Sequence, residues 1–221
     1  MRCVLLGGAL VALFWAYSRR ASSVDGHLGA QIDGITFPSE IRVGSSLPLT
    51  FVGGGTRLKF NVVKVYAAAL YLQDVRSNSA LKTYRKLDGI ALRKKGDFFR
   101  ALVSGPFQKA LLLSFHRSVS GSTVADALKE SLSTRISRST LAGFREVLLQ
   151  VLGTDVPKGS ELFFACRSDT LHLALGSPRS TTAFHDKTIC GALFDVYLGA
   201  SPISPAIKEG VADGFAEKMG K

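Results

Sequence analysis

The sequence predicts an α+β domain built on a largely antiparallel sheet. Three observations carry this: a first third rich in strand-forming residues, a later pair of apolar runs spaced as a hairpin, and helical periods that arrive in blocks between them. Strict alternation of strand and helix would point instead to a parallel sheet, whose strands need crossover helices.

The chain begins with something other than the domain. Residues 3–17 (CVLLGGALVALFWAY) carry no charge, follow Arg2 and precede Arg19 and Arg20. That run is shorter than the roughly 20 residues that cross a bilayer as a helix, and it lacks a polar face. Residues 1–24 therefore read as a targeting or signal-anchor segment and 25–221 as one domain. A secretory or endomembrane route is the expectation, with a plastid or a mitochondrion as alternatives, and the segment is the expected point of any membrane association.

Residues 31–71 read as strands, punctuated at 37–39 and 44–46. Residues 49–52 lead into Gly53, Gly54 and Gly55, which predict either a tight turn or a backbone passing close to another element. Residues 58–72 are β-branched and aromatic. Helices are predicted over 80–87 and 97–103, the second opened by Asp97 as N-cap. A strand follows over 108–115, then a break at Ser120-Gly121 and a helix over 123–132, where Val124, Leu128 and Leu132 recur about once per turn. Another helix is predicted over 140–152. Strands 161–167 and 170–175 form a hairpin around Ser168-Asp169, and helices over 187–198 and 205–219 close the chain.

Composition bounds the chemistry. Apolar residues make up 46% of the 221 and include 14 Phe, enough for one sizeable globular core. Net charge is +11, and residues 25–221 hold 25 basic against 17 acidic side chains. The densest basic stretch, Arg85, Lys86, Arg93, Lys94, Lys95 and Arg100, reads as a solvated helical face, with attraction to anionic lipid as the functional alternative. No zinc spacing or aromatic RNA-binding signature accompanies it, so no nucleic-acid partner is expected. Of Cys3, Cys166 and Cys190, only the last two fall in the domain; both sit among apolar neighbours and read as inert core thiols, with one pairing open. The sequence has no phosphate loop, His-Glu-x-x-His, Cys-x-x-Cys or Gly-x-Ser-x-Gly motif, and its four histidines are scattered. No cofactor and no metal is expected.

Two residues stand out as binding chemistry. Arg57 lies just beyond the glycines and before an apolar run, where its planar donor fork suits a carboxylate or phenolate; an ion pair with Asp74 or Glu130 is the plain alternative. Tyr66 is nine residues on, so in one regular strand it would face the other way. The two converge only across a bulge or on two strands; otherwise Tyr66 is an aromatic at the edge of the core.

The blocks FVGGGTRLKF (51–60), VKVYAAALYLQD (63–74), SGPFQKALLLSF (104–115), RSVSGSTVADALKESL (117–132) and DVYLGASPIS (195–204) resemble the chalcone isomerase-like superfamily over nearly all of 31–219. The resemblance implies an open-faced β-sandwich, a large antiparallel sheet carrying a layer of helices with a ligand cleft between. It also implies a site in which an arginine holds a phenolate while Thr, Tyr, Asn and Thr serve the developing enolate. Arg57 retains the arginine; Tyr66, Val124, Ser131 and Val196 stand at the other four positions. Valines there remove donors from the place where charge would develop, each worth a few kcal/mol of barrier, so efficient cyclisation is not expected. The resemblance fits the family's non-catalytic fatty-acid-binding branch, in which an Arg and a Tyr hold a carboxylate. The expectation is a site of Arg57, Tyr66, Val124, Leu128, Ser131 and Val196 for a fatty acid or similar amphiphilic carboxylate. An intramolecular lyase using Arg57, or an organellar haem-binding or interaction protein, are the alternatives.

Overall fold

The computed structural model describes residues 29–60, 62–75 and 78–220. Residues 1–24, expected from the sequence to be a targeting or signal-anchor segment, lie outside them. The first described strands, β1 (Ala30–Ile32) and β2 (Ile35–Phe37), pair as a hairpin across Asp33 (φ 53°) and Gly34 (φ 81°), the left-handed pair that an Asp-Gly turn supplies. Next come β3 (Glu40–Ile41), β4 (Leu49–Lys59) and β5 (Val63–Leu72). A 3-10 turn at Ser79–Tyr84 precedes helices α1 (Gly89–Arg93) and α2 (Gly96–Ser104), then strands β6 (Lys109–Phe115) and β7 (Val119–Ser120). Helices α3 (Gly121–Leu132) and α4 (Arg138–Leu152) lead to β8 (Asp155–Val156), β9 (Glu161–Arg167), β10 (Thr170–Leu175) and β11 (Thr182–His185). Helices α5 (Ile189–Leu198) and α6 (Pro205–Lys218) finish the chain.

The main sheet has seven strands in the order β11-β10-β9-β6-β5-β4-β3, every neighbouring pair antiparallel. Its central strands are buried on both faces. In β5, Tyr66, Ala68, Leu70 and Leu72 point to the helical layer, while Ala67, Ala69 and Tyr71 point away; Leu111, Leu113 and Phe115 of β6 alternate with Ala110 and Leu112 in the same way. The second face is covered by Phe37, Ile41, Val43 and Leu49, with Ile32 and Ile35 of the N-terminal hairpin against it. Two-sided burial explains why these strands read as unbroken apolar runs and not as alternating ones.

Three sequence expectations need correction, and the choice left open at the three glycines is decided. The three glycines make no turn; they lie inside β4. Gly53 pairs with Leu70 and Gly55 with Ala68, so both face the helices, and α6 lies directly on them. A Cβ on Gly53 would collide with the carbonyl of Gly210, one on Gly55 with that of Ala206, and one on Gly210 with that of Gly54. Close approach is thus the reason for glycine here. Asp97 is inside α2 instead of capping it, because Lys95 takes the N-cap position and Asp97 accepts from the Tyr84 hydroxyl at 3.2 Å. The helix expected over 80–87 is the short 3-10 turn, with the Asn78 side chain accepting from the amide of Ala80. Cys166 of β9 and Cys190 of α5 are not free thiols but a disulfide, with Cα atoms 5.9 Å apart, which ties the helical layer to the sheet. Strand β11 had no expectation, being short and mostly exposed.

The hairpin around Ser168-Asp169 forms as the spacing predicts, with Thr170 opposite Arg167 and Ser168 at φ 52°. Of the basic stretch, Lys86, Arg93, Lys94, Lys95 and Arg100 are exposed, and Arg93 pairs with Asp213 of α6.

The α6–β4 contact makes a prediction that runs against helix propensity. Gly210→Ala is expected to lose about 1–3 kcal/mol through overpacking, whereas Gly191→Ala, in α5 with open space around it, is expected to gain up to about 1 kcal/mol. Urea unfolding of both variants against the parent checks the pair of signs.

Candidate functional site

Strand β4 ends at Lys59, β5 begins at Val63 and the two pair antiparallel, so Arg57 and Tyr66 become direct cross-strand partners. Opposed residues of an antiparallel pair share a face. The nine-residue separation that would part them on one strand therefore brings them together on two. The register shifts between Arg57 and Leu58, leaving Val65 as an extra residue on β5, and this bulge sits beside the pair.

Both side chains open onto a cavity of about 200 Å³ between the sheet and the helices. Its floor is β5 and β6, through Val65, Tyr66, Leu113 and Phe115. One wall is α3, which begins at the Ser120 cap, where the hydroxyl accepts from the Thr123 amide at 3.1 Å. Ala125, Leu128 and Leu132 anchor this helix in the core, and Thr123, Val124, Ala127 and Leu128 line the cavity. Tyr197 of α5 and Ile203 of the α5–α6 loop close the far side, and Lys59 and Glu130 stand as further charged groups on the lining.

Arg57 is held by its environment. One terminal nitrogen donates to the carbonyl of Ile203 at 2.7 Å, and the neighbouring Ser204 hydroxyl donates to the carbonyl of Thr56 at 3.1 Å, so the loop is stitched to β4 on both sides of the guanidinium. Among the described residues Arg57 makes no ion pair, with Glu130 or any other acid, within 4.0 Å. Most of its five N–H donors remain for a guest.

The Tyr66 and Tyr197 hydroxyls lie 3.3 Å apart in buried surroundings, and the Tyr66 ring packs edge-on against Phe115. Burial pushes both phenols above their ordinary range; the nearby Arg57 charge offsets a smaller part of this. Both are therefore protonated at neutral pH. One hydrogen serves the bond between them, and the pair retains a second to offer outward.

Of the residues expected from the sequence, Arg57, Tyr66, Val124 and Leu128 share this cavity. Ser131 and Val196 do not line it. The Ser131 hydroxyl donates to the Ala127 carbonyl at 2.8 Å within its own helix. Val196 is buried in the helical core, and the next residue, Tyr197, turns about 100° round the helix to reach the cavity. Tyr197 and Thr123 restore hydroxyls near the places where valines had seemed to remove them. Tyr197 could have been suspected as the one hydroxyl-bearing residue in the apolar helix ICGALFDVYL. None of the three described histidines lines the cavity: His116 lies 3.5 Å from Asp33, His172 contacts Arg167 and Thr181, and His185 contacts Thr170.

Comparison with known proteins bears on the family and the fold. A family model described as chalcone isomerase-like matches residues 29–211. Chalcone–flavanone isomerase 2 of Arabidopsis thaliana is 25% identical over 203 residues, covering 86% of this chain and 89% of the relative. The chalcone–flavanone isomerase of Callistephus chinensis is 24% identical over 213 residues, covering 86% and 87%. Among solved structures, an Arabidopsis thaliana fatty-acid binding protein superposes with a TM-score of 0.67 at 20% identity, covering 85% of this chain and 96% of that one.

The raised phenols set an alkaline limit. Unfolded tyrosines lose their protons near pH 10 while folded Tyr66 and Tyr197 keep theirs, so the unfolded state binds fewer protons and stability falls as pH rises past about 10. Tyr66→Phe is expected to reduce that alkaline loss relative to the parent, as read from urea midpoints between about pH 9 and 11.

Proposed function

The chain belongs to the chalcone isomerase-like family, and on that premise we propose that it is a binding protein for a fatty acid or a similar amphiphilic carboxylate, without cyclase activity. The observation that carries this reading is the facing pair Arg57 and Tyr66 at the edge of an apolar cavity. The guanidinium and the outward phenol hydrogen form a clamp for one carboxylate. Charge-assisted bonds of this kind are the stronger class. Leu113, Phe115, Val124 and Leu128 receive the first part of the chain, and each buried CH₂ adds about 0.8 kcal/mol. At about 200 Å³ the cavity is smaller than the ~300–1,000 Å³ of typical drug-sized sites, so the remainder of a long tail lies along the opening.

A second reading, an intramolecular lyase of the chalcone–flavanone type, is favoured by the extra hydroxyls of Tyr197 and Thr123 and by the names of the relatives. One experiment separates the two. Delipidated protein is expected to bind a long-chain fatty acid and to leave a 2′-hydroxychalcone unconverted. Arg57→Ala is expected to weaken binding by roughly one to two orders of magnitude, and Tyr66→Phe by about fivefold. Undiminished affinity in Arg57→Ala removes the clamp; flavanone formation that depends on Arg57 replaces binding with catalysis.

The disulfide bears on location. Such bonds persist in oxidising compartments, which supports the secretory or endomembrane route as a proposal for this chain. Peptide mapping of protein from its native compartment is expected to find Cys166 joined to Cys190. Reducing that bond is expected to cost about 2–4 kcal/mol of stability.

A further inference from the structure

The described part of the chain exposes five large apolar side chains, and three of them, Leu58, Phe60 and Val62, fall within five residues at the β4–β5 turn. Phe60 is 80% exposed and Val62 76%, at the end of two long strands that otherwise bury their apolar residues well. Scattered single apolar residues on a surface are ordinary; a cluster on a protruding turn is not. The Lys59 ammonium lies over the Phe60 ring, 5.2 Å from its centre, so charge and apolar surface are presented together.

The surroundings are basic. Beside the turn, the His116 amide donates to the Val65 carbonyl, which places the end of β6 and exposed Arg117 at this end of the sheet. The Lys158 amide donates to the Ser118 hydroxyl, adding a second exposed cation from the β8–β9 loop. Lys64 is engaged by Asp33 at 2.6 Å. The acids nearby are Asp33, so paired, exposed Asp155, and Glu130 on the cavity lining. Lys59 on the turn, with Arg117 and Lys158 at the same end of the sheet, thus adds positive charge to an apolar tip, a combination that suits lipid headgroups of negative charge with acyl chains beneath.

The tip also stands at the cavity. Arg57, Lys59, Val65 and Tyr66, on either side of the turn, all line it.

We propose that the β4–β5 turn is a membrane-docking element, inserting Phe60 and Val62 into the interface of an anionic bilayer so that the cavity loads and unloads its amphiphile there. The inference deepens the carboxylate-binding reading and rests on it for its purpose. The contact itself rests on the exposed side chains and the cations around them, and it is separate from any attachment through residues 1–24.

The test uses the full chain with Cys3→Ser and a single introduced thiol, Val62→Cys, carrying an environment-sensitive dye. A parallel sample carries the dye at Leu47→Cys, an exposed position at the opposite end of β4. With vesicles of phosphatidylcholine and phosphatidylserine, the dye at position 62 is expected to brighten several-fold and shift to the blue, more weakly at high salt, while the dye at 47 stays as in water. An aqueous signal at 62 from vesicle-bound protein, an equal response at 47, or no vesicle binding overturns the proposal. An equal response to pure phosphatidylcholine overturns its electrostatic part. Phe60→Ser is expected to slow transfer of a fluorescent fatty acid from vesicles by about tenfold while leaving affinity in vesicle-free solution unchanged. Loss of solution binding in the parent would sink the carboxylate reading instead, so the two failures are told apart.

Discussion

The contact on which the site depends is a bare one: backbone of helix α6 against backbone of strand β4. Ala206, Gly210 and Gly214 recur every four residues along one stripe of α6, and Gly53 and Gly55 face them from the sheet. Side chains on either partner would push the helix outward. With it would go the α5–α6 loop, whose Ile203 carbonyl accepts from Arg57 and whose Ser204 hydroxyl holds the Thr56 carbonyl. A helix seated this closely is therefore what lets a loop carbonyl reach a guanidinium on the strand two residues past the last glycine. The glycines and the arginine are one structural unit even though only the arginine has chemistry.

A second constraint is register. With both faces of the central sheet buried, a slip of one residue would exchange the helix-facing set of β5 with the set under the N-terminal hairpin. The two sets are not equivalent: Leu70, Leu72 and Tyr66 fill one side, small alanines and Tyr71 the other. That asymmetry fixes which way Tyr66 points, and pairing with β4 then carries Arg57 to the same side. The disulfide between Cys166 and Cys190 pins α5 to β9, and α5 in turn presents Tyr197 to Tyr66.

Much of this was legible in the residues. The antiparallel α+β class, the 161–175 hairpin, the helices over 123–132, 140–152 and 205–219, and the family all follow from pattern and resemblance, and the structure and the family match agree with them. What sequence could not supply were relations across space. Whether three glycines turn the chain or admit a neighbour depends on a helix 150 residues away. Whether Arg57 and Tyr66 meet depends on where the strand ends, and residues 58–72 read as one apolar segment because the turn lies inside it. Carrying the site over by aligned position chose Val196, when the side chain that reaches the cavity belongs to Tyr197. Two cysteines in apolar settings look the same whether inert or joined, since the bond needs only that β9 and α5 come within reach.

The hydroxyl geometry bears on the choice between holding an anion and making one. A cyclase must keep donors aimed at charge that appears only in the transition state, and each must be free when it appears. Here Tyr66 and Tyr197 lie 3.3 Å apart, so one phenol hydrogen is already committed to the other oxygen. In the proposed reading, the remaining hydrogen and the Arg57 fork both serve the cavity that the two residues line, where a ground-state carboxylate is fully charged from the start. On the proposal, such a guest takes the fork on its two oxygens and the phenol as a third bond. A phenolate in the same place would satisfy Arg57, yet a developing enolate across the cavity would draw on Thr123 and on a tyrosine already engaged. In the proposed reading, burial that keeps both phenols protonated and a pairing that commits one of their hydrogens make this cavity better at gripping an existing negative charge than at stabilising a new one.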